Sequence, residues 1–125
     1  MMERLFILME VIMMNFKCTC KNVEIGSYCN QIELEKPKRM VGDNRTPNTE
    51  SLTICVDSCL KEEIEYLWSI GITTTGCCCG HGKLEPFIGV VPQDIQKMKE
   101  LGYIVRKNEC RTNDEDSFYP KGYIK

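Results

Sequence analysis

"SLTICVDSCLKEEIEYLWSIGITTTGCCC", Ser51 to Cys79, is the stretch on which the fold turns. Ser51 to Val56 is short, apolar and β-branched, and it follows the turn-forming "TPNT" at Thr46 to Thr49, which predicts a strand. In "CLKEEIEYLWSI" the apolar Leu60, Ile64, Leu67 and Trp68 recur at helical spacing, while Lys61, Glu62, Glu63 and Glu65 lie mostly on the other side. Asp57 or Ser58 is the expected cap, and Gly71 ends the helix at a position that favours a left-handed backbone. "ITTTGCCC", Ile72 to Cys79, has threonines suited to a pleated surface and no helical period, so a second strand follows.

The same grammar repeats downstream. "PFIGVV" predicts a strand over Phe87 to Val91, and Pro92 suits the first turn of a helix whose buried stripe is Ile95, Met98 and Leu101. Gly102 stops that helix, and "YIVRK", Tyr103 to Lys107, reads as a last strand. Ile64, Leu67, Ile70, Gly71 and Ile72 match Ile95, Met98, Leu101, Gly102 and Tyr103 at constant offset, so both helices should end alike. Two successive strand-helix-strand units predict an α+β protein with the ferredoxin-like split repeat, two helices on one face of an antiparallel sheet. Another α+β sandwich with the same element order is the competing reading.

Outside this core, 51–107, the chain is less regular. An amino-terminal, cysteine-bearing arm carries "CTC" and an edge strand in which Ile32 and Leu34 alternate with Glu33 and Glu35 until Pro37. "CRTNDEDSFYPKGYIK" has no period and reads as an extension or tail. The length, 125 residues, suits one domain over 17–125. "MMERLFILMEVIMM" is too short to span a bilayer and has no small-residue cleavage pattern, so neither a transmembrane helix nor a signal peptide is expected. Met13 and Met14 offer alternative starts, which would make 1–16 an extension outside the domain.

A net charge of −2 argues against a general nucleic-acid binder, because phosphate affinity needs a broad basic surface. A local basic surface would require Lys36, Lys38, Arg39, Arg45 and Lys83 to converge. Nine cysteines are a heavy load for this length, and an odd count without an export signal disfavours a disulfide scaffold. Thiolate–metal chemistry fits better. In "TTTGCCCGHGK", Thr73 to Lys83, Cys77 and Cys79 share one face of an extended chain, Cys78 takes the other, and glycines let the loop wrap around His81. Zinc takes four sulfur or imidazole ligands, so the remaining ones must come from afar, and Cys18 with Cys20 is the best-spaced second pair. The expected site is therefore Cys18, Cys20, one or both of Cys78 and Cys79, and His81, with Cys29 and Cys110 in reserve and Cys55 and Cys59 buried. A catalytic cysteine would have only His81 to lower its pKa, and no third catalytic member or oxyanion motif is legible. Free core thiols are the plain alternative; they account for Cys77 but poorly for "CCCGH" as a whole.

"NQIELEKP", "SCLKEEIEYLWSIGITTTGCCCGHGK", "PFIGV", "MKELGY" and "NDEDSFYPK" together resemble a family of small proteins carried by phages and prophages of clostridia and related bacteria. The resemblance spans Cys18 to Lys121, and its distinctive part is the "TTGCCCGH" core. It implies a bacterial cytosol and a phage-related role, and Cys18, Cys20, Cys78, Cys79 and His81 match its recurrent positions. The expectation is then a non-enzymatic, zinc-binding accessory protein that binds a host protein or a small ligand such as a nucleotide, as in counter-defence. A homo-oligomer stays open. The alternative is a cysteine- or zinc-dependent hydrolase acting on a nucleotide-like substrate.

Overall fold

The computed structural model describes residues 18, 31–46, 48–80, 84–107 and 114–123. The elements are β1 (Gln31–Glu35), β2 (Thr53–Asp57), α1 (Lys61–Ser69), β3 (Thr74–Cys78), β4 (Phe87–Val90), α2 (Ile95–Glu100) and β5 (Ser117–Phe118). Among these residues no helix is long and apolar enough to cross a membrane.

The protein is α+β, with two small antiparallel sheets and two helices. β1 and β2 form a ribbon in which Leu34 faces Ile54 and Ile32 faces Val56. Leu34, Ile54 and Val56 are buried while Glu33 and Cys55 are exposed, the alternation expected of a ribbon covered on one side. β3, β4 and β5 form the second sheet, in the register Cys77 to Ile88 to Phe118. β2 lies against β3 without a ladder between them.

These pairings do not establish the ferredoxin-like arrangement. That arrangement needs one sheet in which the first strand of each unit pairs with the other, whereas β4 is flanked by β3 and β5. The last predicted strand, Tyr103 to Lys107, is reduced to a single bridge between Val105 and Phe118. The strand beside β4 is Ser117–Phe118, from the stretch whose lack of period suggested a tail. Phe118 is fully buried and meets Tyr103 edge-to-face at 6.5 Å, so a two-residue strand held by one aromatic anchor replaces the longer one.

The helix ends bear out the repeat. Gly71 and Gly102 have φ of +92° and +89°. Beyond each glycine the chain turns back in the same way: Ile72 N–H donates to Leu67 O at 3.0 Å, and Tyr103 N–H to Met98 O at 3.0 Å. This is the Schellman closure, which places Ile72 and Tyr103 in the core. Arg39 completes the first of these ends, its guanidinium donating to Trp68 O, Ile72 O and Thr73 Oγ1 at 2.6–2.9 Å. A cation there opposes the negative end of the helix dipole.

One core joins both sheets and both helices, built on Met40, Leu60, Ile64, Leu67, Ile88, Val90, Met98 and Phe118. Trp68 belongs to it, and its indole N–H donates to Thr74 Oγ1 at 2.8 Å.

Candidate metal centre

β2 ends at Asp57 and runs straight into a 3-10 turn, Ser58–Leu60, before α1 begins. Asp57 is one of the two expected caps, yet its side chain makes no capping bond. It is 3% exposed, and its Oδ2 accepts the backbone N–H of Cys79 at 2.7 Å. A buried carboxylate needs such donors, and this one fastens the end of β2 to the residue just beyond β3. Cys59, two residues after Asp57, is thereby set beside Cys79.

Cys18 closes the group. Its Sγ lies 3.8 Å from that of Cys79 and 4.0 Å from that of Cys59, and all three sulfurs fall within 4.8 Å of one another. Sulfurs bound about 2.3 Å from a tetrahedral ion stand about 3.8 Å apart, and the two distances from Cys18 are close to that edge length. A disulfide would bring two of them to about 2 Å. Cys79 is buried, while Cys18 and Cys59 are half-buried. Three cysteines from three distant parts of the chain could therefore hold a metal ion.

Of the expected ligands, Cys18 and Cys79 are in this trio. Cys78 is not in the trio; its Sγ accepts the Gly80 N–H at 3.3 Å, and its thiol also meets the Asp57 carboxylate. Cys20 and His81 lie outside the described residues, as do Cys29, Lys83 and Cys110. Gly80 turns the chain with φ +77°, and its carbonyl accepts the Leu84 N–H at 2.9 Å.

Cys59 and Cys55 require correction. Both were expected to be buried, but Cys59 is a member of the trio and Cys55 is exposed, opposite Glu33 on the open side of the ribbon. Spacing could not single out Cys59, because its nearest cysteine, Cys55, sits four residues away on the open side of the ribbon. The one local signal was its place directly after a strand ending in aspartate.

Burial pushes the Cys77 thiol up to about 12, consistent with its packing against the core. Burial also raises Cys78, against the opposing pull of the Gly80 N–H. Neither has the depressed pKa of an activated cysteine.

Three of the cations named above have partners of their own. Arg39 caps α1, Arg45 is bound to Asp43 at 2.6 Å, and Lys36 Nζ donates to Asn48 O at 2.7 Å.

No protein-family model matches the chain, and neither the curated proteins nor the solved structures include a significant match.

Proposed function

We propose that this is a small non-enzymatic binding module in which a zinc ion, held by Cys18, Cys59 and Cys79, staples the amino-terminal arm to the α+β core. The observation that carries this reading is the approach of three sulfurs to within 4.8 Å of one another, with both distances from Cys18 near the edge of a thiolate tetrahedron. Zinc is the ion that such sulfur sets commonly select for a structural role. Cys20 and His81 are the candidates for the fourth ligand, each two positions along the chain from a clustered thiol. Binding energy at such a site adds to folding energy, because the unfolded chain has no preformed site.

The resemblance to small phage and prophage proteins extends the reading to an accessory role in a bacterial host cytosol, through binding a host protein or a small ligand. The raised thiol pKa of Cys77 and Cys78 supports binding over cysteine catalysis. The rival, a zinc-dependent hydrolase, would need one coordination position open to water.

One experiment tests the staple and separates these readings. Protein purified from zinc-supplemented medium should carry one zinc per chain, and C59S and C79S should each lose it. Cobalt substitution should give the intense visible bands of a closed tetrahedral thiolate site, unchanged by added azide. Absence of stoichiometric metal, or full retention by both variants, removes the staple; an azide-sensitive cobalt spectrum favours the hydrolase.

A further inference from the structure

The second sheet has two unlike faces. Cys77, Ile88, Phe118 and Val105 are aligned on the core side. The residues flanking them alternate to the other side: Cys78 and Phe87, then Tyr119 and Ile104, with Arg106 two residues beyond Ile104. Ile104 is 70% exposed, as that alternation requires.

At the edge of this sheet a cavity of about 550 Å3 is lined by the core-side Tyr103 and by Ile104, Tyr119, Lys121 and Tyr123, with glycines at its edges. The volume lies within the usual range for small-molecule sites. Tyr119 and Tyr123 are stacked at 5.4 Å and 19°, and Tyr119 is held by its hydroxyl, which donates to Glu85 Oε2 at 2.7 Å. They offer a fixed aromatic platform. Lys121 brings an ammonium group 5.0 Å from the centre of the Tyr103 ring.

Arg106 supplies the second observation. Among the described residues its Nε is the one buried side-chain polar atom without a hydrogen-bond partner. Its guanidinium lies over the Phe87 ring at 5.5 Å, and no carboxylate among the described residues pairs with it. A buried unsatisfied donor is costly, and a guanidinium fork matches an oxyanion. Alternate residues of an extended chain are about 6.6 Å apart, which places Arg106 one such step from the Ile104 wall of the cavity.

From this arrangement we infer that the outer face of β3, β4 and β5 is a nucleotide-binding site, with the base on the Tyr119–Tyr123 platform and the phosphate on Arg106. Arg106, which pairs with no carboxylate among the described residues, is the cation that would take the phosphate oxygens. Aromatic stacking tolerates any base, so the site discriminates by charge more than by base identity. The inference rests on the binding-module half of the proposed function and is independent of the metal.

Calorimetric titration with adenosine 5′-monophosphate, adenosine and inorganic phosphate tests it on the full chain, with zinc content measured on the same samples. Adenosine monophosphate should bind saturably with Kd below about 1 mM, and adenosine about tenfold more weakly. R106Q should reduce the nucleotide to the affinity of adenosine, and Y123A should weaken both. R106K, which keeps the charge but loses the fork, should lie between and serves if R106Q fails to fold. A zinc-loaded protein that binds no nucleotide, or binds it equally well as R106Q and R106K, overturns this inference and leaves the staple standing. Nucleotide binding by protein that carries no zinc would do the reverse.

Discussion

Cys18 and the stretch from Tyr119 to Lys121 both come to the beginning of α1, and they are held there by different chemistry. On one side Cys18 meets Cys59, in the turn that leads into the helix, and Cys79. On the other, Glu63 in the first helical turn is 7% exposed, and its Oε2 accepts the Tyr103 hydroxyl at 2.6 Å and the Lys121 backbone N–H at 2.9 Å. The carboxylate junction is complete in itself, because every donor it requires is supplied by the chain. The thiol junction brings together three soft ligands that could hold an ion, and on the proposed reading that ion supplies its strength. The carboxylate junction should therefore respond to protonation and, if the proposed staple holds, the thiol junction to metal.

This contrast can be broken at either junction. The largest effect is expected from the thiols: with free zinc at about 1,000 times its Kd, the ion should stabilise the protein by about 4 kcal/mol. That increment should vanish in C59S and C79S and on treatment with a strong chelator, as read from urea unfolding with and without zinc. If the variants gain as much stability from zinc as the wild type, the ion binds elsewhere.

D57A should follow, costing about 3 kcal/mol, since it removes the acceptor for the buried Cys79 N–H and unfastens β2 from β3. Part of the loss should appear as weaker zinc affinity, because Cys59 and Cys79 are no longer held side by side. A D57A protein with unchanged zinc affinity would show that the trio is positioned without this bond.

At the carboxylate junction, E63A should cost about 2 kcal/mol by stranding the Tyr103 hydroxyl and the Lys121 N–H. The pH dependence sharpens the test. Burial raises the Glu63 pKa above its ordinary value of 4.5, outweighing the Lys121 and Tyr103 hydrogen bonds that lower it. Its folded pKa therefore exceeds its unfolded one. The associated stability is fully present below about 4.5 and is lost as pH rises through the raised value. E63Q should remove this slope, so the difference in urea midpoint between E63Q and wild type should change with pH just above 4.5. A constant difference would mean that Glu63 titrates alike in both states.

The smallest effect belongs to C55S. Cys55 is exposed on the open side of the ribbon, so stability should move by less than about 0.5 kcal/mol and zinc content not at all. A loss of metal in C55S would redraw the ligand set.

Local features were the most legible in the sequence. The period of Leu60, Ile64, Leu67 and Trp68 marked α1, and the matching glycines at Gly71 and Gly102 marked two helix ends of the same geometry. Both depend on neighbours within a turn or two. β1 was equally readable from the alternation of Ile32 and Leu34 with Glu33 and Glu35. Cys18 and Cys79 were anticipated as neighbours because sulfur chemistry restricts which residues can share an ion.

Strand partnership was not legible in this way. Ser117–Phe118 carries no period, and what places it beside β4 is the burial of a single ring, a contact that no local pattern encodes. The role of Asp57 reversed for a similar reason. Its position predicts a helix cap, but at the end of β2 a buried N–H from Cys79 competes for the same carboxylate and wins.

Residue chemistry and short-range periodicity, set by covalent geometry and local sterics, determined the helices, their ends, most strands and the sulfur-rich character of the centre. Which strands share a sheet, and that Cys59 joins Cys18 and Cys79, was decided only by tertiary packing, because burial and buried hydrogen bonds act between residues whose separation along the chain carries no signal.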